Sequence, residues 1–232
     1  MQRFTARWLA AFSVLALVMH EAHELAHTIV GRVLCGAWAE RDFNAWSLPA
    51  SCTTPVPTAA GPVFSAAGML LGIVLARRAE WRQRWVGIAL IFACNPLARI
   101  ITTLMRGGDE LTVVRNLSGG SVSPGAFWAT AALVVVVFGG GIVAGWRATA
   151  SVQHRVAGFV AVLIGPMVIT GTLLFVVLNG LLKRGVMAAP VAGMPGLVLA
   201  VSLVVAAMGI ASASWLRGSG AGPVAIAGPA DR

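Results

Sequence analysis

The sequence predicts an all-α fold, a polytopic bundle of about six transmembrane helices, and three observations carry that expectation. The 232 residues are 58% hydrophobic and only 11% charged, against roughly 25% charged in a soluble domain. Mean hydropathy is +0.84. Several apolar runs approach the ~20 residues that an α-helix needs to cross a bilayer.

The first run, 8–30, follows a short basic start at Arg3 and Arg7. That arrangement imitates a signal peptide, but charged, histidine-rich residues interrupt its apolar half and no small-residue cleavage site follows. It reads as a retained first helix. The remaining spans are expected at 58–76, 85–105, 126–146, 157–182 and 194–216. The tail 218–232 is rich in Gly, Ala and Pro and reads as loose. Residues 1–115 are expected to form the chemical core, and 116–217 to supply accessory helices.

A net charge of +9 invites a nucleic-acid reading, but the arginines sit at helix ends, as membrane topology requires, and no nucleic-acid partner is expected. With the N-terminus inside, inner segments hold ten basic residues and outer segments six, mostly through the 77–84 cluster. That imbalance favours a cytoplasmic N-terminus. Cys35 and Cys52 then share an outer loop, where an oxidising compartment permits a disulfide. Cys94 falls within the third span and reads as a small buried apolar residue. The loop 40–57 is too polar for lipid and is bracketed by Trp38 and Trp46, residues suited to a membrane interface.

The chemistry lies in the first span, where "MHEAHELAHTIVG" places three histidines and two glutamates in an apolar run. His23-Glu24-Leu25-Ala26-His27 is an HExxH motif. Residues four apart share a helix face, so both imidazoles reach one metal ion with the glutamate beside it. Zinc takes imidazole nitrogen at ~2.0–2.1 Å, and a catalytic site adds a third protein ligand and a water. The ion lowers that water's pKa and polarises a carbonyl, and the glutamate takes the proton. With four histidines and five glutamates in the chain, chance gives on the order of 0.001–0.002 such motifs. An ionisable group at mid-bilayer also costs about 2.5–3.5 kcal/mol on insertion scales. His20 shares the face of His23 and His27, as a third ligand, a hydrogen-bond partner that orients a ligand, a proton shuttle or an interhelical hydrogen bonder. Glu21 points about 100° away from His20 and is expected to answer a buried cation such as Arg99, or a water-lined cavity.

With these residues on one helix, the chain resembles the site-2-protease-like intramembrane zinc metalloproteases. Besides HExxH, the resemblance rests on "GPVFS", with Gly61 and Ser65 opening the second span, and on "CNPLARIITTLMRGGDE", with Asn95, Pro96 and Asp109. It covers about residues 8–115. It implies a zinc ion held by His23, His27 and Asp109, with Glu24 as general base and Asn95 hydrogen-bonding the substrate backbone or the oxyanion. The implied substrates are peptide bonds in or near transmembrane segments of other membrane proteins, at the bacterial cytoplasmic membrane. The family's acid follows the Asn-Pro closely. Here it comes fourteen residues after Asn95 and behind two glycines, so Glu110 is the alternative ligand.

Topology supports a ligand from this segment independently. The first and third spans run in the same direction, so the HExxH end and residues 107–110 emerge on one side, and the glycine pair lets the chain turn back. The resemblance implies that the loop after the first span clamps an extended substrate by strand addition; the alternative is a disulfide-tied surface loop. Arg99, embedded in the third span, is expected to pair with Glu21 or Asp42. Gly68 and Gly72, and Gly141 and Gly145, fit close helix packing. Relatives place their zinc toward the cytoplasm, whereas the charge count here puts it toward the outside. The competing function is a metal-binding membrane protein that transports, senses or scaffolds without cutting peptides.

Overall fold

The computed structural model describes residues 3–191 and 193–218; beyond Gly218, the expected loose tail lies outside them. Among the described residues, six helical segments are long and apolar enough to cross a membrane, from Ala6–Cys35 through Gly196–Arg217. The chain is a multi-pass, all-α membrane protein, and every expected span is present within a few residues.

Helix α1 (Ala6–Cys35) starts where the Thr5 side chain accepts from Trp8 N, and ends at Gly36, whose φ of 71° only glycine adopts readily. Its 30 residues reach about 45 Å, well beyond the ~30 Å hydrocarbon layer. Beyond it, β1 (Glu40–Arg41) and β2 (Trp46–Ser47) form an antiparallel hairpin. Asp42 closes the turn by accepting from Asn44 N and Ala45 N, a turn chemistry typical of aspartate. A Cys35–Cys52 disulfide ties the hairpin back to the end of α1. The loop is therefore tied by a disulfide, one of its two expected readings, and it also carries a short hairpin.

Helix α2 (Val56–Ala76) returns across the bundle. The third span is two helices, α3 (Trp81–Ala93) and α4 (Pro96–Leu104), separated at Asn95 with φ 53°. The expected kink is thus a full break. The residue before a proline avoids the right-handed helical region, and asparagine tolerates the left-handed one. After Gly108 (φ 84°) the chain starts a short helix, α5 (Asp109–Leu117), with Asp109 and Glu110 in its first turn, where the helix dipole favours acids.

Helix α6 (Pro124–Ala148) is the fourth span. The fifth joins α7 (Arg155–Ile169), a π-helical stretch (Thr170–Leu178) and α8 (Asn179–Lys183). A second hairpin, β3 (Pro190–Val191) and β4 (Met194–Pro195), leads to α9 (Gly196–Ser212) and a closing 3-10 turn (Ala213–Arg217).

One apolar core gathers Trp8, Phe12, Met69, Trp85, Ile88 and Phe92, where the Trp8 indole donates to Leu216 O across the whole chain. A second gathers Phe43, Leu174, Met194 and Val198 under the first hairpin. The small-residue pairs pack as expected. A Cβ on Gly141 would lie 2.2 Å from Met69 Sδ, and one on Gly145 2.4 Å from the Phe92 ring.

Candidate metal centre

The centre is built where α1, α2 and α5 converge. His23 and His27, one turn apart, are buried at 3% and 0% exposure. Their Nε2 atoms lie 3.1 Å apart. Asp109 Oδ2 completes a triangle, 3.1 Å from His23 Nε2 and 3.6 Å from His27 Nε2. Three ligands at ~2.0–2.1 Å from a tetrahedral zinc ion stand about 3.3–3.4 Å apart, so the triangle has the size for such an ion once the Arg99 guanidinium, which lies against His23 Nε2 and Asp109 Oδ2, draws back. His27 Nδ1–H donates to the Pro57 carbonyl at 2.7 Å. A carbonyl only accepts, so neutral His27 presents a bare lone pair at Nε2. His23 Nδ1 meets Ser65 Oγ at 3.0 Å. Lone pairs and a carboxylate facing one another at this range call for a cation, and in this structure the Arg99 guanidinium supplies it against His23 and Asp109.

Space around the triangle comes from Gly61, because a Cβ there would lie 2.3 Å from His27 Nε2 and 2.5 Å from His23 Cε1. The "GPVFS" segment thus contributes both a gap and a hydrogen bond to the imidazoles. Trp46 of the hairpin stacks on the outer face of the His27 ring, centroids 4.5 Å apart.

Glu24 and Asn95 line, with His23 and Asp109, a cavity of about 1060 Å³ that opens beside the hairpin. Glu24 Oε2 and Asn95 Oδ1 are buried without hydrogen-bond partners among the described residues. Buried polar atoms seldom stay unpaired, so both are available to a ligand in the cavity.

Glu110, the alternative ligand, stands outside the triangle. Its carboxylate is buried without a hydrogen bond among the described residues, and Arg99 Nη1 lies 3.7 Å away. Burial pushes the Glu110 carboxyl above its usual range, against the pull of Arg99. Burial pushes Asp109 the same way, but the hydrogen bond from His23 and the Arg99 charge outweigh it and hold Asp109 well below the carboxylate range. Asp109 therefore stays ionised, the form that a metal binds.

Arg99 corrects a sequence expectation. It pairs with Asp109 at 2.8 Å and reaches the His23 ring, not Glu21 or Asp42. Ten residues separate Arg99 from Asp109, and the glycine turn folds α5 back onto α4. Asp42 is spent on its own turn. Glu21 does answer a buried cation, but it is Arg41, which donates to Oε2 at 2.6 Å; Ser202 on α9 donates to the same oxygen. His20 is not in the triangle: its Nε2 donates to Phe43 O at 2.9 Å and holds the hairpin tip. Asn179 grips the same tip, accepting from Phe43 N at 3.2 Å and donating to Asn44 Oδ1.

Sequence reasoning missed Pro57, Arg41 and Ser202, and it read Trp46 as a membrane-interface residue, whereas it stacks on His27. Only Arg41, a charge inside a short loop, carried any signal. The chain matches no protein-family model, no curated protein and no solved structure.

Proposed function

We propose that the chain is an intramembrane zinc metallopeptidase that hydrolyses peptide bonds in or near membrane-spanning segments of other proteins. The observation that carries this reading is the His23–His27–Asp109 triangle, placed with Glu24 on one cavity. Zinc, when bound there, supplies a polarised water and Lewis-acid assistance to the scissile carbonyl. Glu24 takes the proton of the attacking water and hands it to the departing amine. Asn95 donates from its amide to the substrate carbonyl as negative charge develops on oxygen. Strand β2 lines the cavity while β1 packs beside β4, so the free edge of β2 suits an extended substrate by strand addition. An extended substrate is required, because a helix shields its amides in its own hydrogen bonds.

The host is the bacterial cytoplasmic membrane. The Cys35–Cys52 disulfide and the basic turns at the opposite end of the bundle together favour a metal centre near the outer face.

The test is hydrolysis of a fluorogenic transmembrane peptide by purified protein in liposomes, with zinc content measured in parallel. Glu24→Gln is expected to abolish cleavage and keep the metal. Cleavage at the wild-type rate by that variant refutes the mechanism. Zinc uptake into the liposomes, unchanged by Glu24→Gln, supports the non-proteolytic metal-transport reading instead.

A further inference from the structure

The spans alternate, so the turns after α2 and α6 lie together at the end of the bundle opposite the metal centre. There α2, α3 and α6 border a second cavity of about 510 Å³, lined by Ile73, Arg77, Arg84, Gly140, Val143 and Arg147, among others. We propose that this groove binds the phosphate headgroup of an anionic phospholipid and lays an acyl chain along α6. This inference stands apart from the peptidase reading.

Four observations carry it. First, three guanidiniums converge on one cavity, and among the described residues none of the three has a carboxylate within ion-pair distance or a side-chain hydrogen bond. Neighbouring arginines differ. Arg155 donates to Trp146 O and lies on that indole, while Arg82 lies over Trp81.

Second, Arg77 and Arg147 sit at helix C-termini, where the dipole tolerates a cation, but Arg84 sits in the first turn of α3. The turn itself holds no acidic residue, and Glu80 at its N-cap accepts from the Gln83 amide and caps no helix N–H with its side chain. A cation beside uncapped N–H groups is unfavourable until an anion arrives.

Third, each arginine on α2 and α6 ends an apolar row. Gly140, Val143 and Arg147 follow one another along one face of α6, as Ile73 and Arg77 do on α2. Charge at the bundle end with an apolar strip running toward mid-membrane is the outline of a lipid, not of a free anion.

Fourth, the strip is open. Val143 is 49% exposed, and among the described residues nothing beyond its own stretch of helix lies within 4 Å of a Cβ built on Gly140. The excess of basic residues at this end also faces it toward the cytoplasmic leaflet, where anionic lipids concentrate.

The test is native mass spectrometry of the detergent-purified protein titrated with a phosphatidylglycerol, a phosphatidylcholine of the same chains, or inorganic phosphate. Wild type is expected to hold the phosphatidylglycerol at least tenfold more tightly than the phosphatidylcholine. Arg77→Gln, Arg84→Gln and Arg147→Gln together are expected to weaken that binding about 100-fold, at roughly a factor of five per contact. The control Arg3→Gln, Arg78→Gln, Arg82→Gln removes equal charge from the same end and is expected to leave binding within about threefold. Equal binding of the two lipids overturns the proposal, as does equal loss in the control. Inorganic phosphate competing as well as the lipid makes this a free-anion site and overturns the lipid assignment. The comparison of lipids on wild type needs no variant, so a poorly folding triple variant leaves the proposal testable.

Discussion

Gly61→Ala is the sharpest probe of the metal centre. The added Cβ would stand 2.3 Å from His27 Nε2, 2.5 Å from His23 Cε1 and 2.6 Å from His27 Cε1. Ordinary contact begins near 3.4 Å, so at least one ring must retreat by roughly 1 Å. His27 has little freedom to do so: it is fully buried, tied to Pro57 O at 2.7 Å and stacked on Trp46. Metal sites tolerate about 0.2 Å in ligand distance, and changes to the groups that orient ligands cost ~10–100-fold in affinity. The expected loss of zinc affinity is therefore at least 10–100-fold, or about 1.4–2.7 kcal/mol. Competition with a fluorescent chelator, on protein in detergent at fixed pH, measures it. Gly140→Ala adds a methyl group where, among the described residues, no atom beyond its own stretch of helix lies within 4 Å, and it serves as control. Wild-type zinc affinity in Gly61→Ala, alongside an unchanged control, would refute a metal held between these two imidazoles.

Other expectations follow from single contacts. Ser65→Ala removes the partner 3.0 Å from His23 Nδ1 and should weaken zinc binding about tenfold, read by the same chelator competition; no change would mean that Arg99 alone orients the ring. Arg99→Leu removes a cation 2.8 Å from Asp109 that repels a divalent ion, and should tighten zinc binding, most clearly at low salt. Weaker binding would instead make Arg99 a support for the ligand set. Glu21→Gln leaves Arg41, with 0% side-chain exposure, buried without a counter-charge. It should cost about 3–5 kcal/mol, seen as a fall of several degrees in the thermal unfolding midpoint; an unchanged midpoint would mean that water reaches Arg41. A membrane-impermeant maleimide should label Cys52 in intact cells only after reduction by an impermeant phosphine, and labelling only after lysis would place the metal centre on the inner face.

The six spans were legible because lipid demands long apolar runs whatever their neighbours. HExxH was legible because its spacing alone puts two imidazoles on one face. The break at Asn95 was half legible: Asn-Pro announces a kink, but its left-handed geometry depends on how α4 packs. Helix α5 was not foreseen, since Asp109–Leu117 is short, polar at its start and bounded by glycines. The partners of Arg99 and Glu21 were misassigned because ion pairs in lipid are chosen by folding back of loops, here the 105–108 turn and the first hairpin, and local sequence carries no distance information of that kind. The π-helical stretch at Thr170–Leu178 lies in a run too uniformly apolar to reveal a change of pitch.

The first hairpin is gripped at its tip by Asn179 and, through Glu21, reaches Ser202. A fragment stopping at residue 117 would keep every proposed zinc ligand yet forfeit both of these long-range clasps. The late, chemically silent spans thus act as a splint for a flap that shelters His27. Trimming the chain to its motif-bearing half should leave the ion solvent-washed and exchangeable.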